Sequence, residues 1–128
     1  MTAAEIEKFL KGLPGATLSI QWGDEHVYKV GGKMFAAMSS LDRPFRWLSF
    51  KAGDASFAIL TKQKGIVPAP YLARAQWVQL RRLSALKDKE LKAYLTRAHA
   101  IVAGGLSKKL RASLGIAQIP AAQRNPFL

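Results

Sequence analysis

The stretch that decides the fold runs from Thr17 to Lys51, and its centre reads HVYKVGGKMFA over residues 26–36. A Gly-Gly pair between two apolar-rich runs is typical of a β-hairpin, because both central residues of a type I′ turn need positive φ. Glycine adopts that conformation without a Cβ clash. We therefore expect Gly31 and Gly32 to form the turn between two antiparallel strands.

The segment that follows this turn is apolar on both faces, with Met34 and Ala36 on one side and Phe35 on the other. Such a pattern predicts a central strand that is covered on both sides. Alternating side chains and turn residues predict the other strands, and Gly23-Asp24-Glu25 is expected to turn the first strand into the second. The predicted strands are residues 17–22, 26–30, 34–38, 45–51 and 76–80.

The fourth of these strands has two different faces. Leu48 and Phe50 form an apolar pair, whereas Phe45 and Trp47 share the opposite face with Lys51. Aromatic side chains beside cations are typical of surfaces that stack nucleic-acid bases. They are equally typical of a partly covered sheet, so both interpretations stay open at this point.

Helical spacing and capping residues predict the helices. Thr2 and Glu5 form a capping box before a short amphipathic helix that Pro14-Gly15 ends, and Asp54 is expected to cap a helix over residues 55–62. Residues 66–72 contain two prolines and predict an extended surface connection.

The longest predicted helix opens at Asp88 and turns its apolar face to the core, leaving Arg97 and His99 mostly on other faces. A left-handed cap at Gly104-Gly105 is expected to close it, and Ser107 to begin a short basic helix that ends near Leu114. The residues predicted to face the core are Leu91, Tyr94, Leu95, Ala98 and Val102.

The composition is that of one folded domain. The chain has 128 residues, of which 49% are hydrophobic and 22% charged, and it contains no cysteine, which excludes disulfides, thiolate metal sites and cysteine nucleophiles. The N-terminal residues are acidic rather than basic, and no apolar run approaches the roughly 18 residues of a membrane span. We expect a soluble, cytoplasmic protein that does not bind membranes.

Charge is the most unusual compositional feature. The chain carries 20 Lys and Arg against 8 Asp and Glu, a net charge of +12, and the excess is +3 over residues 1–64 but +9 over residues 65–128. A field of this sign attracts nucleic acid or an acidic protein before any specific contact forms. A solubilising surface without a partner is the alternative interpretation.

The residues offer little for catalysis. The carboxylates lie singly or in a turn where neighbouring side chains diverge, and His26 and His99 are far apart without a metal-ligand spacing, so both are interpreted as surface or boundary residues. Gly31-Gly32-Lys33 lacks the following helix that a phosphate loop requires. We therefore expect neither an enzyme nor a bound cofactor or metal, and no small-molecule substrate.

The basic residues of the predicted sheet and its loops are the remaining candidates for function. A hairpin can enter a groove of DNA while its lysines contact phosphates. The predicted nucleic-acid-binding residues are Lys29, Lys33, Arg43, Arg46, Lys51, Arg74, Arg81 and Arg82. Lys108, Lys109 and Arg111 form a separate basic cluster.

Four motifs follow one another along the chain: Trp22-Gly23-Asp24, then residues 28–36 (YKVGGKMFA), then Leu48-Ser49-Phe50-Lys51, and finally Gly65-Ile66-x-Pro68-Ala69-Pro70-Tyr71-Leu72 with Trp77-Val78. Together these motifs resemble the MmcQ/YjbR family. The resemblance runs from about residue 5 to residue 103 and leaves a basic extension over residues 104–128.

The resemblance implies a compact α+β domain related to CyaY-like and secretion-chaperone-like folds, with an antiparallel sheet and no catalytic set. The expected architecture is a single domain over residues 1–128, with about five strands and helices packed on them in the order α-β-β-β-β-α-β-α. Family members are described as possible DNA-binding proteins whose hairpins act as two wings. We therefore expect a monomer that binds nucleic acid, DNA rather than RNA, with low sequence specificity. The alternative is a chaperone-like module that binds an acidic protein partner.

Overall fold

Six strands form one antiparallel sheet in the order β1-β2-β3-β4-β6-β5, which confirms the predicted α+β class and adds one strand to it. The computed structural model describes residues 1–41 and 44–116, so the predicted site residue Arg43 and residues 117–128 of the C-terminal extension lie outside the described residues. The strands are β1 Ala16–Gln21, β2 Glu25–Val30, β3 Lys33–Met38, β4 Leu48–Lys51, β5 Ile66–Pro68 and β6 Trp77–Leu80. The helices are α1 Ala3–Lys11, α2 Asp54–Leu60, α3 Asp88–Gly104 and α4 Lys108–Ser113.

The predicted hairpin between β2 and β3 is confirmed. Gly31 and Gly32 have φ angles of 59° and 79°, the positive values that a type I′ turn requires. Gly31 also lies against Leu106 at the end of the helical layer: a Cβ added to this glycine would stand 2.6 Å from Leu106 Cδ1. The turn is therefore packed against the helical layer on one side.

A β-bulge in β3 changes which side chains face the helices. Tyr28 pairs with Ala36 but Lys29 pairs with Met34, so Phe35 is an extra residue without a partner on β2. Phe35 and Ala36 are consequently both fully buried in the core. The bulge moves Met34 to the opposite face, so the prediction that Met34 and Ala36 share a face is wrong.

The additional strand, β5, replaces the surface connection that the two prolines predict. It pairs only with β6 and so lies at the edge of the sheet, where Pro68 removes no internal ladder bond. Strand β4, which pairs with the other side of β6, begins at Leu48 and not at residue 45 as predicted. The side chain of Phe45 packs against the core, so it does not share a face with Trp47.

The core lies between one face of the sheet and the helices. Tyr28, Phe50 and Leu80 from the sheet join Ile6 of α1 and Leu95 of α3 in one buried cluster, and all five side chains are 0% exposed. We call the other side of the sheet the open face, although Val27, Ala37, Ser49, Trp77 and Gln79 on it are buried. By strand register it carries Glu25, Val27, Lys29, Met34, Ala37, Ser49, Lys51, Trp77 and Gln79.

Two predicted helix starts are confirmed. The hydroxyl of Thr2 accepts a hydrogen bond from the backbone N–H of Glu5, and the Glu5 carboxylate accepts one from the backbone N–H of Thr2, which completes the capping box. The hydroxyl of Ser107 likewise accepts from the backbone N–H of Leu110 and caps α4.

Two predicted helix caps are wrong, one at the start of α2 and one at the end of α3. Asp54 is the first residue of α2 and Gly53 is its N-cap, so the Asp54 side chain does not cap this helix. Gly105 closes α3 with a φ of −84°, in the right-handed region, so the expected left-handed cap is absent there. An irregular continuation into Leu106 replaces it, with the Leu106 N–H donating to Ala103 O.

Helix α3 is buried over a wider arc than its apolar stripe predicts. The sequence predicts that Arg97 lies away from the core and that His99 is a surface or boundary residue. Both predictions are wrong, because each residue is only 5% exposed. Arg97 Nε donates to Ala52 O at 3.2 Å, while His99 Nε2 lies 2.6 Å from Pro14 O. Both side chains are buried because α3 is flanked by the loops after β4 and before β1 as well as by the sheet.

The burial of His99 predicts a loss of stability in mild acid. Burial lowers the pKa of His99 from its ordinary value, against a smaller opposing effect of the hydrogen bond to Pro14, so the unfolded chain takes up this proton at higher pH than the folded one. The free energy of unfolding should therefore fall as pH decreases through about 6.5. Urea unfolding at about pH 7.5 and 5.5 measures it. A cost of His99→Gln that does not shrink at the lower pH contradicts this prediction.

Candidate nucleic-acid interface

The strand register divides the predicted binding residues between two opposite ends of the sheet. In an antiparallel sheet, the end of one strand lies beside the beginning of its neighbour. The end at which β2 finishes, β3 begins and β4 finishes is called the lysine end. The opposite end, where β4 and β5 begin and β6 finishes, is called the arginine end.

The lysine end brings together four of the predicted cations. Lys29, Lys33 and Lys51 lie on the adjacent strands β2, β3 and β4, and Arg74 lies in the loop that joins β5 to β6. Neighbouring strands are about 4.8 Å apart, so these residues span roughly 15 Å from β2 to β6. Lys33 and Arg74 are exposed, and Lys29 and Lys51 are half-buried on the open face.

The arginine end holds the other predicted cations that the structure describes. The backbone N–H of Arg46 donates to Ser39 Oγ at 3.1 Å, beyond the end of β3, and that of Arg81 donates to Gly65 O at 2.8 Å, before β5 begins. Arg82 lies beside the same glycine, and all three arginines are exposed. The predicted residues therefore do not form one continuous patch.

The carboxylates are distributed unequally between the two ends. Asp24 and Glu25 lie at the arginine end, whereas Asp54, just after β4, is the only carboxylate that the described residues place at the lysine end. The lysine-end cations form no ion pair within the described ranges, where Met1 pairs with Asp88 and His26 with Glu7. Among the described residues, the lysine end therefore carries four predicted cations against one carboxylate.

The C-terminal helix adds to this charge. Leu106, which lies against Gly31 of the hairpin turn, is directly followed by the residue that caps α4. Lys108 and Lys109 at the start of that helix are exposed. The separate basic cluster of the sequence thus begins next to the lysine end, although nothing in the alternation of the strands indicates this.

A pocket of 540 Å³ opens on the open face between the two ends. Its floor consists of Met34, Ala37, Ser49 and Gln79, all on neighbouring strands. Its walls are mainly aromatic and apolar, and Glu25 is the only charged residue among those that line it. The wall residues used below are Trp22, Trp47, Tyr71 and Leu72.

Two of the wall residues have unusual backbones. Trp22 and Tyr71 have φ angles of 48° and 64°, in the left-handed region that side chains with a Cβ rarely adopt. Their side chains are strongly exposed, at 65% for Trp22 and 105% for Tyr71. The sequence pattern assigns Trp22 to a strand face and Tyr71 to a surface connection, so neither is predicted as a site residue. The sequence feature that could have identified both as site residues is an aromatic residue next to glycine or proline in a turn.

A polar cluster separate from the pocket lies between α1 and the sheet. Glu7 Oε1 is 2.6 Å from His26 Nδ1 and accepts a hydrogen bond from the Tyr28 hydroxyl at 2.9 Å. Burial, and next the hydrogen bond and charge of Glu7, raise the pKa of Tyr28 well above its ordinary range. The Tyr28 side chain is completely buried, and the contacts of Glu7 with His26 and Tyr28 join α1 to β2.

Two further findings concern metal binding and membrane spans in the described residues. Over residues 1–41 and 44–116, no group of three or more His, Asp or Glu side chains is arranged to hold a metal ion. No helix in this part of the chain has both the length and the apolar character needed to span a bilayer.

The fold and site define a small single-domain α+β protein with one helix-covered face and one open face. The sequence model of the YjbR family matches residues 11–101, and the chain belongs to this family. A search of curated proteins finds no match.

Two solved structures resemble most of this chain in fold. Deinococcus radiodurans protein DR2400, which carries the family-model domain DUF419, superposes with a TM-score of 0.79 at 21% identity, covering 94% of this chain and 93% of that one. A Pseudomonas syringae protein superposes with a TM-score of 0.65 at 15% identity, covering 80% of this chain and 99% of that one. At these identities the likeness concerns the fold.

Proposed function

We propose that this YjbR-family chain binds nucleic acid through phosphate contacts at its lysine end, with low sequence specificity and with DNA as the preferred polymer. The observation that carries the proposal is the separation of charge: Lys29, Lys33, Lys51 and Arg74 lie together with Asp54 as the one nearby carboxylate in the described chain. Phosphate contacts of this kind release counterions and supply affinity without reading bases.

The β2–β3 hairpin contributes as part of the sheet edge. Its strands pair on their outer sides with β1 and β4, and Gly31 contacts Leu106, so this hairpin is not an isolated two-stranded ribbon that enters a groove by itself. Phosphates would instead contact the row of lysines along the end of adjacent strands. No catalytic step is part of this proposal.

The test compares two variants of equal net charge. Lys29→Ala/Lys33→Ala/Lys51→Ala removes three cations from the lysine end, and Arg46→Ala/Arg81→Ala/Arg82→Ala removes three from the arginine end. Because the total charge is the same, any difference in affinity reports location rather than the overall field. Fluorescence anisotropy with duplex and single-stranded oligonucleotides over a salt series gives the dissociation constant and its salt dependence.

We expect the native chain to bind with a Kd of about 10⁻⁴ to 10⁻⁶ M, more weakly as salt rises. In the lysine-end variant the slope of log K against log salt should fall by about 0.7–0.9 for each phosphate that no longer meets a lysine, while the arginine-end variant keeps most of the slope. No binding by the native chain at low salt contradicts the function itself. Equal reductions in affinity for both variants contradict the assignment to the lysine end.

A protein partner is the second candidate, and the edge strand β1 favours it. This strand has six residues without charge or proline, and Ile20 on it is 53% exposed, whereas the opposite edge strand β5 is short and ends in Pro68. Uncharged edge strands can accept a further strand from a partner, and an acidic partner would also be attracted by the lysines. A complex that survives nuclease treatment and is abolished by Ile20→Lys supports this function.

A further inference from the structure

We propose that the open-face pocket holds one unpaired base of a single-stranded nucleic acid whose phosphates lie at the lysine end. This inference rests on the proposed function and names the form of the polymer that the site takes. Three independent features support it: the lining of the pocket, the backbone of its aromatic walls, and the position of two lysines on the same face.

The pocket has the size and lining of a site for a flat, mostly apolar group. Its volume of 540 Å³ falls within the range of small-ligand pockets, which are apolar with a few polar groups. Trp22, Trp47 and Tyr71 line its walls, and Met34 and Ala37 contribute to its floor. Unpaired bases stack on aromatic side chains of this kind whatever their sequence.

The polar groups of the pocket suit the edge of a base. Gln79 Nε2 lies 3.4 Å from Ser49 Oγ, and the side-chain oxygen of Gln79 makes no hydrogen bond with the described residues. Because an amide and a hydroxyl each donate and accept, they can pair with the edge of a base. Glu25 can accept from an amino group but repels phosphate, so it directs the backbone of the polymer away from its end of the pocket.

The aromatic walls are held in conformations that cost free energy. Trp22 and Tyr71 both lie in the left-handed region, and neither ring is buried in the core. Glycine at either position would avoid this strain. Strained residues that are retained with their side chains exposed are typical of binding sites, because the strain fixes the direction of the ring.

Lys29 and Lys51 lie close to the pocket floor, at a distance that the length of one nucleotide spans. Lys29 pairs directly with Met34, and Lys51 follows Ser49 by two residues on the same open face. A strand rises about 3.3 Å per residue, so the Cα atoms of Ser49 and Lys51 are roughly 7 Å apart. A base above the floor therefore has its own phosphate within reach of both lysine side chains.

The experiment compares three probes of equal phosphate number with the full chain: an oligothymidylate of about twelve nucleotides, an abasic oligonucleotide of the same length, and a duplex. Competition anisotropy measures their affinities. Stacking of one base is expected to make the oligothymidylate bind about tenfold more tightly than the abasic probe. The abasic probe reports the lysines alone.

Glycine variants locate the base. Tyr71→Gly and Trp22→Gly remove a ring while favouring the native backbone, so both should fold. Each should weaken oligothymidylate binding severalfold and leave abasic binding unchanged. Ile59→Ala, at an exposed apolar residue on α2, is the matched control and should change neither affinity.

The outcomes separate this inference from the proposed function. Equal binding of the abasic and base-containing strands, or a preference for the duplex, overturns the pocket proposal and leaves the phosphate contacts standing. Loss of oligothymidylate binding in Ile59→Ala as large as in Tyr71→Gly also overturns it. Failure to bind any of the three probes removes the proposed function as well.

Discussion

Replacing Gly31 by alanine is expected to lower the free energy of unfolding by about 2–4 kcal/mol. Part of this cost is conformational, because φ is 59° and a Cβ disfavours the left-handed region. The rest is steric, because the new Cβ would stand 2.6 Å from Leu106 Cδ1 and 2.9 Å from Cδ2. Leu106 is only 7% exposed and belongs to the core cluster, so it cannot simply rotate away.

The neighbouring glycine provides the control. Gly32 has a φ of 79° but nothing within 4 Å of an added Cβ, so Gly32→Ala should show only the conformational cost of about 1–2 kcal/mol. Urea unfolding of both variants, combined with Leu106→Ala in a double-mutant cycle, isolates the steric contribution. Equal costs for the two alanines, or no coupling between Gly31 and Leu106, contradict the packing of the turn against the helical layer.

Removing the Glu7 carboxylate should cost about 2–3 kcal/mol of stability. Its Oε1 atom accepts from the Tyr28 hydroxyl and contacts His26 Nδ1, and this hydroxyl makes no other hydrogen bond with the described residues. In Glu7→Ala the buried hydroxyl is left without an acceptor, which is more costly than losing the bond from an exposed site. Equilibrium urea unfolding measures this loss.

Two comparisons test the cause of the Glu7 effect. Glu7→Gln keeps a carbonyl acceptor for Tyr28 and should cost less than Glu7→Ala. When Tyr28→Phe removes the hydroxyl as well, Glu7→Ala should become less costly, because no unpaired donor remains. Additive costs for Glu7→Ala and Tyr28→Phe indicate that the two groups do not interact.

Much of the sheet follows from local sequence. The Gly-Gly turn fixes the pairing of β2 with β3, and side-chain alternation gives the faces of β1, β2 and β4 with little further information. These features depend on residues close together in the chain. The central position of β3 follows in the same way, from its apolar side chains on both faces.

The features that local sequence does not predict depend on distant contacts. The bulge at Phe35 reverses the face of Met34, and only the packing of Phe35 against His99, with ring centroids 5.3 Å apart, shows why Phe35 lies with the helices. Arg97 and His99 are polar and lie outside the apolar stripe of α3, so the stripe does not predict that they are buried. Their acceptors, Ala52 O and Pro14 O, are supplied by loops remote in sequence.

The candidate site is predictable in composition and only partly in position. The sequence identifies the cations, but their division between two ends depends on β6 pairing between β4 and β5, which alternation does not specify. The register therefore joins Lys29, Lys33, Lys51 and Arg74 and separates them from the three arginines. The pocket escapes sequence-based prediction because its walls come from two turns and the end of a loop.

The position of β6 also bears on how the protein matures during synthesis. The first four strands are consecutive and can assemble as they emerge from the ribosome, but β5 has no neighbour until Trp77–Leu80 has been translated. Until then the outer side of β4 presents unsatisfied backbone groups to its surroundings, the kind of exposed edge that aggregates. This vulnerable interval ends only when residues 77–80 have emerged from the ribosome and paired with β4, so premature termination before Trp77 should yield insoluble fragments.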